Sequence, residues 1–141
     1  MTRDVVTVTV ERRFAAAPEQ VFDAWLDREA VGAWLFRTPD GVPDRVEVDA
    51  RVGGGFRVDE RRGDDIACHY GEYLVIDRPR RLVFDFWTSF SDARTRVSIA
   101  IAPDGDGSLL TLTHEGVWAD YENRTRSGWA MMLDGLERVL T

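Results

Sequence analysis

Residues 121–140 read YENRTRSGWAMMLDGLERVL, and this stretch decides how the rest of the chain must fold. Trp129, Met132, Leu133, Leu136 and Leu140 recur at helical spacing and give one face of the segment a broad apolar stripe. Arg126, Ala130, Asp134, Glu137 and Arg138 take the opposite face. Asp134 precedes Arg138 by four residues, the favourable order for an ion pair within a helix, and Asp120 is placed to cap the helix start. Burial of each large stripe residue contributes about 1.5–3 kcal/mol, more than helix propensity supplies over so short a segment. The stripe therefore needs an apolar surface to lie on, and the residues before it read as a sheet.

Residues 5–14 (VVTVTVERRF) alternate, with Val6, Val8 and Val10 on one face and Thr7, Thr9 and Glu11 on the other, as in a half-buried strand. Pro18 and Glu19 open a helix whose core face is Val21, Phe22 and Trp25. The helix is interrupted near Asp27 and followed by a second short one through Ala30 to Leu35, weakened by Gly32. Residues 37–43 (RTPDGVP) are loop. Strands follow over Arg45–Arg51, Phe56–Arg62, Ile66–Ile76, Arg81–Thr88, Arg94–Ala102 and Ser108–Glu115. The turns between them hold the glycines at 53–55, Gly63 with Asp64 and Asp65, Pro79, and the run PDGDG at 103–107. Short strands joined by tight turns predict an antiparallel meander. The element order predicts one α+β domain over residues 1–141. A curved antiparallel sheet of about seven strands wraps a long C-terminal helix, and two short helices after the first strand plug one end. Such packing leaves room for a cavity between helix and sheet.

A chain of 141 residues with 44% hydrophobic content suffices for one domain with a sizeable core. No run approaches a membrane span, and the N-terminus lacks the pattern of a signal peptide, so a soluble cytoplasmic protein is expected. The net charge of −7 argues against nucleic acid or anionic lipid as the main partner. Cys68 is the only cysteine, so no intrachain disulfide can form. All 18 basic residues are arginine, which excludes Schiff-base chemistry.

The runs APEQVFDAWLDREAVGAW (17–34), VDARVGGGFRV (48–58), GEYLVIDRPRRLVFDFW (71–87), LTLTHEG (110–116) and GWAMMLDGL (128–136) together resemble a known family. It is the START-like, helix-grip (SRPBCC) superfamily, in the branch named after the C-terminal domain of the activator of a heat-shock chaperone's ATPase (AHSA-type). The resemblance implies the helix-grip fold. The superfamily hosts lipid carriers, hormone receptors and cyclases, so function must be argued from the site. One departure is Leu35-Phe36, where relatives often carry a second Trp. The large chaperone-binding domain of the eukaryotic activators is also missing from this sequence, which disfavours a co-chaperone role.

His114 ends the strand LTLTH in phase with Leu110 and Leu112 and should point inward, as a polar anchor for a ligand, as a general base, or as a hydrogen-bonded core histidine. Trp129 and Met132 would wall the cavity, with Phe86 and Phe56 among the apolar lining, whereas Leu136 reads as core. Tyr70 and Glu72 share the phase of Cys68. If that phase faces inward they enter the cavity together; an exposed Glu72 beside a bulge at Gly71 is the favoured alternative. His69 takes the other face and is expected in solvent. Trp87, outward beside Phe90 and Trp118, would form an aromatic cluster, either a homodimer or partner surface or packing under the loop at 116–120. Adjacent Cys68 and His69 point to opposite faces, and no zinc-type spacing occurs, so no metal or other cofactor is expected. No serine or cysteine sits in a nucleophile context, and the glycines at 53–55 follow no parallel strand, so they read as a turn with positive φ and close packing. The expected function is binding of a small hydrophobic or amphipathic molecule. The alternatives are a cyclase- or hydrolase-like enzyme using His114 and a carboxylate, and a co-chaperone-type activator.

Overall fold

The computed structural model describes residues 4–141; residues 1–3, to which the predicted domain extends, lie outside the described residues. Along the chain come β1 (Val5–Phe14), α1 (Pro18–Asp23), α2 (Arg28–Trp34), β2 (Val42–Val48), β3 (Gly55–Arg62), β4 (Asp65–Asp77), β5 (Arg81–Thr88), β6 (Thr95–Asp104) and β7 (Gly107–Trp118). A 3-10 turn at Ala119–Tyr121 then leads into α3 (Glu122–Leu140). The strands form one antiparallel curved sheet in the order β1-β7-β6-β5-β4-β3-β2. From β2 to β7 each strand pairs with its sequence neighbour, as tight turns dictate, and β1 closes the far edge against β7. The α+β helix-grip architecture expected from the sequence is the one observed.

The short helices owe their positions to local chemistry. Gln20 Oε1 accepts from the Ala17 amide at 3.2 Å ahead of Pro18, and Val21 and Phe22 are buried. The interruption at Asp27 is a fresh helix start, because its carboxylate accepts from the Ala30 amide at 3.0 Å. Trp34 Nε1 then donates to the Ala24 carbonyl at 2.9 Å and ties α2 back to the end of α1. Within α3 the residues Trp129, Leu133 and Leu136 are buried, while Met132 and Leu140 are half-buried against the same core. The glycine turn at 53–55 behaves as its composition predicts: Gly53 has φ +87°, and a side chain on Gly55 would overlap the Gly71 carbonyl.

Three local expectations are corrected. Asp120 lies in the 3-10 turn, and α3 starts after Tyr121 without a side-chain cap. Asp134 pairs not with Arg138 but with Arg12 of β1 at 2.7 Å, and Glu137 joins the same guanidinium at 3.2 Å. The Arg12 side chain is only 25% exposed, so this contact is less screened than a fully solvated pair along the helix. β2 begins at Val42, inside the predicted loop. Pro43 is accommodated because β2 is an edge strand whose register shifts between Pro43 and Arg45. Among the described residues no helix is long and apolar enough to cross a membrane.

Leu133 is 0% exposed at the centre of the stripe, whereas Met131 on the outer face is 39% exposed. Leu133→Ala is expected to lower unfolding free energy by about 2–5 kcal/mol and Met131→Ala by no more than about 0.5 kcal/mol. Urea denaturation of both variants checks the helix orientation, and equal losses would contradict it.

Candidate functional site

The space beneath the middle of α3, where the sequence predicts a cavity, is occupied by aromatic side chains. Trp25 meets Trp34 edge-on at 4.6 Å and lies 6.2 Å from Trp129. Phe36, held at φ +55°, stacks in parallel on His69 at 4.5 Å and on Phe86 at 4.7 Å. An opening is found instead at one end of the sheet, where β5, β6 and β7 meet the start of α3. It is a cleft of about 610 Å³. Phe86, Trp87 and Thr88 enter it from β5, Thr95 from β6, His114, Val117 and Trp118 from β7, and Tyr121, Arg124 and Thr125 from the start of α3. The loop Ser89–Ala93 forms the remaining wall, with Phe90 at its tip 61% exposed.

His114 closes the inner end of this cleft through a chain of hydrogen bonds. Trp129 Nε1 donates to His114 Nδ1 at 3.0 Å. An indole N–H can only donate, so Nδ1 carries the lone pair and the proton resides on Nε2. Nε2–H then donates to Thr95 Oγ1 at 2.7 Å, and the Thr95 hydroxyl donates to the Phe86 carbonyl at 3.3 Å. Burial lowers the imidazole pKa from 6.5 to about 4, so the neutral tautomer persists at neutral pH. His69 is similarly neutral: its Nδ1–H donates to the Val58 carbonyl at 3.0 Å, and burial lowers its pKa to about 4. A general base needs a free lone pair, and the one on His114 is already taken. Among the described residues neither of its ring nitrogens meets a carboxylate.

The family model described as Activator of Hsp90 ATPase homolog 1-like protein matches residues 15–141. The chain belongs to this family. Among solved structures, a Chromobacterium violaceum protein aligns with TM-score 0.87 at 25% identity, over 95% of this chain and 96% of its own. A Staphylococcus aureus protein of unknown function aligns with TM-score 0.88 at 15% identity, over 98% and 94%. An AHSA1-like protein from Aeromonas hydrophila gives TM-score 0.82 at 22% identity, over 94% and 90%. The two lower identities speak to the fold alone. No curated protein matches the chain at a significant level.

On this AHSA1-like fold the residues singled out in the sequence separate. His114 and Phe86 line the cleft. Trp129 is 2% exposed and packed in the core, and Phe56 is buried against Phe36, Tyr73 and Phe84. Met132 lies beside that core, its sulfur accepting from the Phe36 amide at 3.1 Å. These three therefore support the cleft without lining it. Tyr70 and Glu72 face the outer side of the sheet: Tyr70 stacks on Trp87 at 5.9 Å, and half-exposed Glu72 meets Arg94 at 3.4 Å. The inward phase of β4 is that of His69, Gly71 and Tyr73 instead, so His69 is buried and not solvated. Gly71 explains the choice, since any side chain there would overlap the Phe56 ring. The pairing break in β4 falls between Tyr73 and Val75, not at Gly71. Cys68 and His69 do take opposite faces. Among the described residues no cluster of three or more His, Cys, Asp or Glu could hold a metal ion.

Trp87, Phe90 and Trp118, linked in the sequence as an aromatic cluster, all border the cleft. Thr95, Thr125 and Arg124 were missed there. Thr125 and Tyr121 precede Trp129 by one and two helical turns, and that spacing was the available signal.

Both imidazoles bind a proton near pH 6.5 when unfolded but only near pH 4 when folded. Between those values the unfolded state holds more protons, so stability is full above the window and falls as pH is lowered through it. Chemical denaturation is expected to show a loss on the order of 2–4 kcal/mol from about pH 7.5 to about pH 5. His114→Gln should remove about half of that pH dependence, and a profile unchanged in the variant would contradict the assignment. Trp129→Phe frees Nδ1 but leaves the imidazole buried, so ¹⁵N NMR titration should show the His114 pKa still well below 6.5, and a return to 6.5 would contradict burial as the cause.

Proposed function

We propose that this protein binds a small apolar or amphipathic molecule in the cleft at the start of α3, without chemistry of its own. The observation that carries this reading is the cleft's size together with its walls. Its 610 Å³ falls in the range of about 300–1,000 Å³ typical of small-molecule sites. Phe86, Trp87, Phe90, Trp118 and Tyr121 supply an aromatic surface, and Phe90 holds most of its ring in water. Apolar area exposed in that way is where a ligand gains most by burial.

The polar groups suit recognition better than catalysis. The His114 lone pair is occupied by Trp129 and its N–H by Thr95, a satisfied network that stiffens the inner wall. A rigid wall lowers the ordering cost of binding and leaves the loop Ser89–Ala93 to adapt.

The test is titration with the uncharged fluorophore N-phenyl-naphthylamine, whose emission rises on entering an apolar site. Binding is expected in the wild type. Thr125→Trp, which places an indole in the cleft from α3, should weaken it at least about tenfold with the far-UV circular dichroism unchanged. Undiminished binding in a folded Thr125→Trp variant would remove this cleft as the site.

A further inference from the structure

Arg124 stands in the first turn of α3 on the cleft wall, its guanidinium 5.2 Å from the centroid of the Tyr121 ring. Among the described residues no carboxylate lies within ion-pair distance of it, and Glu122, two residues before it, binds Arg126 at 3.3 Å instead. A chain of net charge −7 thus places an exposed guanidinium at the mouth of an aromatic cleft. Asp92 on the loop is the carboxylate within the cleft wall, and it forms no ion pair with Arg124.

We propose that the ligand is an amphipathic acid. Its aromatic or alkyl body lies against Phe86, Phe90 and Trp118, and its single anionic group pairs with the Arg124 guanidinium, whose fork suits a planar carboxylate. This rests on the small-molecule reading above and narrows its chemistry. A cationic ligand is disfavoured because guanidinium groups already cover two of the aromatic rings: Arg124 lies over Tyr121, and Arg94 over Trp87 at 4.1 Å. Asp92 repels an anion from the loop side and so directs the charged end towards α3.

Two probes that share a ring system separate charge from apolar fit: N-phenyl-naphthylamine and its sulfonated counterpart, anilinonaphthalene sulfonate. The wild type is expected to bind the sulfonate about fivefold more tightly than the neutral compound, the scale of one partly solvated ion pair. Arg124→Gln should bring the ratio of the two affinities to about one, and Arg124→Lys should keep most of the preference. Arg138→Gln, at the far end of α3, should leave the ratio as in the wild type, and added salt should narrow it. Equal affinities in the wild type, or a preference that survives Arg124→Gln, would overturn the proposal while leaving the cleft as a neutral binding site. Failure of both probes to bind would overturn the cleft reading itself.

Discussion

The hydrogen bond from Trp129 to His114 is the constraint on which the remaining arrangement depends. Both partners are buried, and each would leave an unsatisfied polar atom if the other moved away, at a cost of about 1–3 kcal/mol. Apolar packing alone tolerates small rotations of a helix on a sheet. A single indole N–H directed at one ring nitrogen does not, so α3 is fixed about its axis. Once Trp129 is placed, Thr125 and Tyr121 follow at one and two turns on the same side of the segment, and they emerge from the core into the cleft. The interaction that closes the interior therefore also aims the outer wall.

The second determinant is Phe36. A non-glycine residue at positive φ costs on the order of 1–3 kcal/mol and persists only where its surroundings enforce it. Here the ring lies across His69 and Phe86, which sit side by side on β4 and β5 with 6.2 Å between their rings, and the next residues are held by Glu60. The buried Glu60 carboxylate accepts from Arg37 at 3.0 Å, from Arg62 at 2.8 Å, and from the Thr38 amide and hydroxyl at 2.9 and 2.7 Å. Burial alone would raise its pKa, but these hydrogen bonds outweigh it and hold the carboxyl below its ordinary range. The loop after α2 is thereby anchored, and Phe36 is held against His69, Phe86 and Phe56 in the core.

Periodicity made the architecture legible. The number and order of strands, both short helices and the long terminal helix could be read from alternation, turn residues and the stripe around Trp129, because each pattern reports burial of its own segment, whereas strand ends such as those of β2 could not. The site was less legible, since it depends on which segments face each other. In β4 the run Ala67–Tyr73 alternates on both faces between groups that could be buried, and only the Phe56 ring, from a neighbouring strand, forces Gly71 inward. Arg12 illustrates the same limit. Nothing local to Asp134 announces that its partner lies on β1, because the contact exists only after the helix has docked.

Placing the opening at the end of the sheet divides the cleft into unequal parts. Its inner side is made of strand residues, among which His114 and Thr95 are hydrogen-bonded to each other while the Thr88 hydroxyl is buried without a hydrogen-bond partner among the described residues. Its outer side is a short connection tied at its base, where Ser89 and Cys68 exchange two hydrogen bonds at 3.0 and 3.1 Å, and braced at Ser91, which accepts from the Ala93 amide at 3.2 Å. Between these tethers Phe90 projects into solvent, its ring edge-on to His69 at 5.6 Å. A ring so placed can turn about its side-chain torsions at little cost in packing, whereas Phe86 on the opposite wall is fixed by its stack on Phe36. For the proposed ligand, shape selection would therefore fall to the inner wall, and accommodation of different outlines to the loop.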